Sequence, residues 1–503
     1  NNECVHEPSL WSICVPIQFN CPLCDASFRV KDELGGKQAS CKKCGGSLMI
    51  PLAESKLEMV KGKDAKLQLT KSSRAAVAQR QQAILGAFHG NIKPVRVSFA
   101  YRLSALLVMC VMLVLPIIYL CFIALIGAGV VYHFTHHTGM LTATRGRAAI
   151  FMLIAYAAPA VIGAIAIVFM IKPLFARQSH VRSSRALTPS GEPLLFAFIA
   201  RLAEAVGAPC PKRIEVDSAV NASAGFRRGW LSFLIGNDLT LTLGVPLIAG
   251  LSAQQLAGVV AHEFGHFSQG AGMRLSYVIL SISHWFTRVV YERDEWDDWL
   301  ENVVAEVDFR IGWMFLLAQG FVWLGRGLLW ILMMTGHAVS GVLLRQMEFD
   351  ADRHEARLAG SDLFESTSRR MVELGAANEK SMGDILGLIH QGVLGDNLPQ
   401  LVMHNISRIP SKTKSKLRKA LASETTGLFD THPSFASRVS NAQQENTPGV
   451  FRTDAPASSL LLHFDALCRN VTWDLYRDMF GVHIDPAQMQ LMSEVLNSGK
   501  IDA

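Results

Sequence analysis

The sequence predicts an α-rich integral membrane protein in which membrane helices are joined to a domain with a small β-sheet. Half of the 503 residues are hydrophobic and only 18% are charged, whereas soluble domains usually have roughly 25% charged residues. Mean hydropathy is +0.25, and the apolar residues are concentrated in blocks. The chain is also about three times as long as a domain of ~150 residues, so we expect about three units.

This composition excludes a disordered, collagen-like or highly charged chain. The formal net charge of +6 is modest for the length. Nucleic acid is therefore an unlikely partner on charge alone, and the sequence has no interleaved aromatic and basic residues to suggest one.

The N-terminal segment, residues 1–51, contains two C-x2-C pairs separated by sixteen residues. The four cysteines are Cys21, Cys24, Cys41 and Cys44. Four thiolates at this spacing can close a tetrahedral site on one structural Zn²⁺, and two chance pairs or two disulfides are the alternative. The sequence thus predicts a zinc ribbon on the reducing side of a membrane, with an unknown binding partner. Residues 52–93 follow as a basic, partly helical linker with eight Lys or Arg and three acids.

Two apolar blocks predict a pair of transmembrane helices within residues 94–183. Thirty residues between Arg102 and His133 carry no formal charge, and neither do twenty-four between Arg147 and Lys172. A span needs about 20 apolar residues, so both blocks are long enough. Lys and Arg are more frequent in the two outer flanks than in the connecting loop, which places the outer flanks in the cytoplasm.

Two later stretches, within residues 275–345, are predicted as a membrane-associated insertion. Leu275 to Thr287 has thirteen uncharged residues, and Ile311 to Leu344 has thirty-four interrupted by Arg326. We expect two further spans here. The alternative is an interfacial helix followed by a hairpin that dips into the bilayer.

The chemistry-bearing motif is H-E-x-x-H at His262, Glu263 and His266. Ser252 and Gln255 form a capping-box pattern that starts a helix before it. On a helix, i,i+4 spacing puts both imidazoles on one face, where they can bind one Zn²⁺ beside a glutamate that takes a proton from water. The candidate third ligand is Glu348 in EFDAD, with Asp352 one turn later as the partner of a ligand histidine. His284 and His337 are rival ligands within apolar stretches.

Four motifs in order resemble the HtpX-like membrane metalloproteases, gluzincins related to the CAAX prenyl proteases. They are NASAG at 221–225, HEFGH at 262–266, EFDAD at 348–352 and THPSFASR at 431–438. The resemblance covers residues 95–445 and implies a zincin-type catalytic domain with a catalytic zinc on His262, His266 and Glu348. It also implies that Glu263 is the general base and that Asp352 supports a ligand.

The same resemblance implies roles for residues that the spacing does not identify. His432 and Arg438 are expected near the zinc, and the segment Asn221, Ala222, Ser223 and Ala224 is expected to be an edge strand that binds substrate backbone. The catalytic domain is then formed by residues 184–274, with the edge strand and the HExxH helix, and by 346–445, with the ExxxD helix and the HP-x4-R motif. Further strands are predicted at 213–216 and 239–243. Residues 446–503 are expected to be a C-terminal helical extension.

The expected function is that of a zinc endopeptidase that cleaves membrane or misfolded proteins on the cytoplasmic face, in membrane protein quality control. The expected location is the bacterial inner membrane, with the catalytic site and the ribbon facing the cytoplasm. Two alternatives stay open: a CAAX-type processing protease, and a catalytically silent zinc-binding membrane scaffold. The expected partners are a protein or peptide substrate and the lipid bilayer.

Overall fold

The computed structural model describes residues 17–20, 27–30, 38–40, 47–49, 71–95, 99–142, 147–175, 183–226, 238–268, 271–291, 309–481, 489–499 and 501. The chain forms two units, residues 1–79 and residues 80–503.

The first unit contains two short antiparallel pairs. Strand β1 (Ile17–Asn20) pairs with β2 (Ser27–Val30), and β3 (Gln38–Ser40) pairs with β4 (Ser47–Met49). One C-x2-C pair falls in the sequence between the strands of each hairpin. Cys21, Cys24, Cys41 and Cys44 themselves lie outside the described residues, so the structural zinc site stays a prediction.

The helices are labelled here in chain order. They are α1 (Lys71–Gly86), α2 (Phe99–His136), α3 (Gly139–Thr142), α4 (Arg147–Ile171), α5 (Pro193–Val206), α6 (Val245–Gly250), α7 (Ala253–Gly265), α8 (Ala271–Tyr291), α9 (Phe309–Ala359), α10 (Ser361–His390), α11 (Leu398–Ser407), α12 (Ser411–Ser423), α13 (Phe435–Gln444), α14 (Phe464–Phe480) and α15 (Met492–Asn497). Helix α1 lies in the predicted linker. Ile84 in its last turn, and Phe88 and Ile92 just after it, are buried in the core of the second unit.

Among the described residues, three helices are long and apolar enough to cross a membrane, so the chain is an integral membrane protein. The candidate spans are Phe99–His136, Ala149–Ile171 and Gln319–Ala359. In the third helix the uncharged stretch ends before Arg345, so the charged residues from Arg345 onward lie outside the membrane-spanning part. The first two contain the two apolar blocks of the sequence. Most of each apolar window is exposed, as expected for side chains that face lipid.

The later apolar stretches both form helices. Leu275 to Thr287 lies within the 21 residues of α8, which is not among the three candidate spans in the described part of the chain. Ile311 to Leu344 lies within α9, a continuous helix of 51 residues. The alternative prediction of a hairpin within 311–344 is therefore wrong, because the backbone stays helical through both Gly320 and Arg326.

The second unit contains a mixed four-stranded sheet in the order β5-β6-β8-β7. Its strands are β5 (Arg185–Ala186), β6 (Arg213–Asp217), β7 (Ala222–Phe226) and β8 (Leu239–Gly244). The three strands predicted from the sequence are confirmed, and β7 lies at an edge. Alternation in β6 buries Ile214 and Val216, so one face of the sheet packs on the core that also holds α5 and α7.

Within residues 446–503, helices α14 and α15 pack on the same core. Leu467, Val471 and Tyr476 of α14 are buried there. The Tyr476 hydroxyl donates to the Gly395 carbonyl at 3.0 Å. Strands β9 (Leu394–Gly395) and β10 (Met489–Gln490) pair in parallel beside it. The extension is thus part of the core of the second unit.

Candidate metal centre

Helix α7 is held in place at its start and along one face. The Ser252 hydroxyl accepts from the Gln255 backbone N–H at 3.1 Å, and the Gln255 side chain accepts from the Ser252 N–H at 3.1 Å. This is the predicted capping box. Val260 and Phe264 are fully buried. The opposite face presents the motif's histidines, whose ring centroids lie 5.0 Å apart one turn along the helix.

The carboxylate of Glu348, on α9, lies against both imidazoles. Glu348 Oε2 is 3.6 Å from His262 Nε2, and Glu348 Oε1 is 3.8 Å from His266 Nε2. One donor atom from each of these residues lies within 4.8 Å of the others. Two imidazole nitrogens and one carboxylate oxygen are the protein ligands of many catalytic zinc sites, which keep a fourth position for water or substrate.

Glycines allow α7 and α9 to approach closely enough for this contact. A Cβ added at Gly265 would lie 3.1 Å from the Ala351 Cα and 3.0 Å from His354 Nδ1. A Cβ at Gly258 would lie 3.2 Å from Glu355 Cγ. The two helices therefore pack almost backbone to backbone beside the ligands.

Asp352 lies one turn beyond Glu348 and is fully buried. Its Oδ1 is 3.1 Å from His262 Nδ1, a distance of electrostatic contact without the alignment of a hydrogen bond. Arg438 of α13 donates to the same carboxylate from Nη2 at 2.6 Å and from Nε at 3.0 Å. Arg438 thus fixes Asp352, and Asp352 faces the back of His262, as ligand-orienting carboxylates do.

The pKa shifts in the cluster describe a site that holds a positive charge between carboxylates. Burial lowers the pKa of His262, but the adjacent carboxylates of Asp352 and Glu348 outweigh burial and raise it to about 10. Burial and the charge of His262 lower the pKa of His266 to about 4. Burial raises the pKa of Glu348, but His262 and His432 hold it well below its usual range. A bound metal ion would take the place of the proton on His262.

Glu263 faces the same space from α7. Its Oε2 accepts from the Ala224 backbone N–H of β7 at 3.2 Å. Burial raises the pKa of the Glu263 carboxyl above its ordinary value, which brings the group closer to the range of an effective general base. Helix α7 therefore supplies two candidate ligands and a candidate base.

His432 reaches the cluster from the loop between α12 and α13. Its Nδ1 is 3.5 Å from Glu348 Oε2, and its side chain is exposed. The contact with Glu348 raises the pKa of His432, so the ring is more readily cationic than a free histidine.

A cavity of about 370 Å³ opens beside the cluster. It is lined by β7, by the metal-site helices and by α10, α12 and α13; the lining residues are Asn221, Ala222, Val259, His262, Glu263, Glu355, Ser368, Met371, Val372, Leu421, Glu424, His432, Pro433, Phe435 and Arg438. Much of this lining is apolar, as in pockets that bind a substrate side chain.

The structure brings together His262, Glu263, His266, Glu348, Asp352, His432 and Arg438, together with the edge strand. Asn221 and Ala222 line the cavity, while Ser223 is exposed. Within the described residues, the candidate metal clusters include neither His284 nor His337. Glu348 is therefore the third member of the candidate metal cluster.

Sequence reasoning missed Glu355. This carboxyl lines the cavity, and its oxygen lies within 4.8 Å of donor atoms of His262 and Asp352. Burial raises its pKa to about 7. Positions 348, 352 and 355 share one helical face, so the spacing contained a signal for it.

These features define a zinc metallopeptidase of the two-histidine-plus-glutamate class, joined to membrane helices. The family model described as Peptidase family M48 matches residues 190–446, just over half of the chain. The chain belongs to this family, the HtpX/Ste24-type metalloproteases, and is a zinc metalloprotease. Searches of curated proteins and of solved structures gave no match.

Proposed function

We propose that this chain is a membrane zinc endopeptidase that cleaves membrane or misfolded proteins on the cytoplasmic face, in membrane protein quality control. One observation carries the proposal: the candidate ligands and Glu263 converge beside a cavity, at the edge of β7 that pairs with no strand in the described part of the chain, here called the free edge. A peptide held along that edge would have its backbone next to the catalytic groups.

The zinc ion would be held by His262, His266 and Glu348, since they offer a compact donor set of two nitrogens and one oxygen. The ion supplies Lewis-acid activation of the peptide carbonyl and of the attacking water. Asp352, clamped by Arg438, keeps the His262 ring in its ligating orientation.

Glu263 would move the proton. Because Oε2 accepts from Ala224, we assign the proton transfer to Oε1, which takes it from the attacking water and passes it to the leaving amine. His432 lies at the site, in contact with Glu348. Its protonated ring would donate a hydrogen bond to the substrate carbonyl oxygen, which becomes negative in the transition state.

Substrate backbone would pair with β7. The Asn221 carbonyl accepts from the Gly244 N–H at 2.8 Å, so it points toward β8. Backbone direction alternates along a strand, so Ala222 and Ala224 point to the free edge, where Ala224 meets Glu263. A substrate added as a further strand would therefore meet Glu263 within its paired segment.

The N-terminal cysteines would hold a second, structural zinc on the same side of the membrane. Two antiparallel hairpins, each with one C-x2-C pair between its strands, support this proposal. Reduced thiolates favour the cytoplasm, in agreement with the flanking Lys and Arg of the first two spans.

The activity test uses purified full-length protein in detergent with casein, with chelator, and with zinc restored. Cleavage should stop with chelator and return with zinc. Edge pairing is tested on a cleaved peptide by N-methylating one backbone nitrogen at a time. Cleavage should fall at every second position within the paired segment, because only alternate N–H groups face β7. Loss without this alternation, or no loss, contradicts strand addition.

The biological role is tested by affinity purification of a Glu263→Gln variant from intact cells. Accumulation of misfolded or truncated membrane proteins on this variant, and not on wild type, is expected. Recovery of prenylated peptides alone would favour the CAAX-type alternative.

A further inference from the structure

Helix α12 is a strongly basic helix on the surface of the catalytic domain. Its thirteen residues, SKTKSKLRKALAS, include five Lys or Arg and no acid. None of its residues is buried. Leu417, Leu421 and Lys414 are half-buried, and Lys412, Lys416 and Lys419 are exposed. The helix therefore presents a positively charged surface to its surroundings.

An apolar tip follows directly. Leu428 is 64% exposed and Phe429 is 48% exposed. The turn that presents them is closed by the Gly427 N–H, which donates to Asp430 Oδ2 at 2.6 Å. Two adjacent large apolar side chains held outward by a formed turn are unusual on a surface that faces water only.

The tip is fastened to the membrane helix α9. Arg345 Nη1 donates to the Asp430 carbonyl at 2.7 Å and to the Gly427 carbonyl at 3.4 Å. A Cβ added at Gly341 would lie 3.4 Å from the Leu428 carbonyl oxygen. The backbone of the tip therefore rests on the segment of α9 between Gly341 and Arg345.

That segment is the end of an apolar stretch. Eighteen residues without charge separate Arg326 from Arg345, a helical length of about 27 Å, close to the ~30 Å of a hydrocarbon core. Val342, next to Gly341, is still 68% exposed. Leu428 and Phe429 therefore lie at the depth where α9 leaves the hydrocarbon, and α12 precedes them on the aqueous side.

We propose that the exposed lysines of α12 together with Leu428 and Phe429, here called the bilayer-facing patch, dock on a membrane surface rich in anionic phospholipid headgroups. The lysines would contact the anionic headgroups, and Leu428 and Phe429 would insert into the apolar region below them. Leu421, Glu424 and His432 line the catalytic cavity. Docking would therefore hold the cavity against the bilayer, where it meets membrane-proximal segments of substrates.

The test uses the full chain in nanodiscs of phosphatidylcholine, with or without phosphatidylglycerol. Photoreactive benzoylphenylalanine replaces Phe429, or replaces the exposed Phe480 at the end of α14 as a matched control. After irradiation, covalent adducts are identified by mass spectrometry. This readout needs no proteolysis, so it is independent of the proposed chemistry.

We expect phospholipid adducts at position 429 at several times the yield at position 480, with phosphatidylglycerol enriched above its share of the lipid. The double variant Lys416→Glu/Lys419→Glu should remove that enrichment, and the matched control Lys212→Glu/Arg469→Glu should keep it. Equal lipid yields at 429 and 480, equal capture of both lipids, or adducts only with a co-purified protein or nucleic acid would overturn the proposal.

Discussion

The two helices that meet at the metal site differ in almost every respect. Helix α7 has 13 residues, starts at a capping box and lies within the core. Helix α9 has 51 residues, exposes apolar side chains as far as Val342 and carries Glu348 six residues later, about 9 Å along the axis. The short helix fixes the relation between two candidate ligands and the proposed base. The long helix fixes how far the third candidate ligand lies from the membrane.

The difference shows which parts of a site local sequence determines. One turn of helix sets the geometry of His262 and His266 whatever surrounds it. The position of Glu348 depends instead on how two helices distant in sequence pack, and that packing depends on Gly258 and Gly265. Variants that affect one helix and not the other can separate these contributions.

The largest expected effect is on α7. Glu263→Gln should lower kcat by roughly 10²–10⁴-fold, because the amide cannot accept the water's proton, while zinc stays bound. Glu355→Gln, which replaces the cavity carboxyl of α9, is the matched control and should cost far less. Steady-state kinetics on a peptide, with metal analysis of the same samples, makes the comparison. Equal losses would mean that Glu355 shares the role of the base.

The contact between the helices should be the next most sensitive feature. Gly265→Ala places a methyl group against Ala351 and His354 and should lower the free energy of unfolding by about 1–3 kcal/mol, the usual cost of overpacking. Gly375→Ala, on α10 with nothing within 4 Å of the new methyl group, should be neutral or stabilising by about 0.4–1 kcal/mol. Thermal unfolding of both variants measures the difference. Two equal and small changes would show that α7 and α9 can separate without loss.

The smallest expected effect is a pH dependence from α9. Burial raises the pKa of Glu355 to about 7, so in zinc-free protein the folded state binds this proton more tightly than the unfolded state does. That stabilisation is complete below about pH 4.5, the ordinary glutamate value, and is lost as pH rises through about 7. Glu355→Gln should therefore make the melting temperature of chelated protein less dependent on pH across this window. An unchanged pH slope would place the Glu355 carboxyl in a wetter environment.

Much of this arrangement was predictable because it is local. The capping box and the HExxH face follow from spacing within a few residues, and the apolar blocks are continuous in the sequence. The edge strand at 221–224 was instead expected from the family resemblance. Glu348 was predictable as a candidate, but only the packing of α9 on α7 separates it from His284 and His337. His432 and Arg438 come from a loop and a helix some eighty residues beyond Glu348 and Asp352, so no local pattern relates them to the zinc ligands; a resemblance between families suggested them. Glu355 was missed because only the packing of α9 against α7 places its carboxyl beside His262 and in the cavity.

Counting zinc ions per chain tests the central claim most directly. Metal analysis of full-length wild-type protein should give two zinc ions, with one in Cys41→Ser, one in Glu348→Ala and none in the double variant. Glu263→Gln should keep two, because it removes the base and leaves the ligands. A single zinc in both wild type and Cys41→Ser would contradict the structural site. Full zinc content and turnover in Glu348→Ala would contradict the assignment of Glu348 as the third ligand.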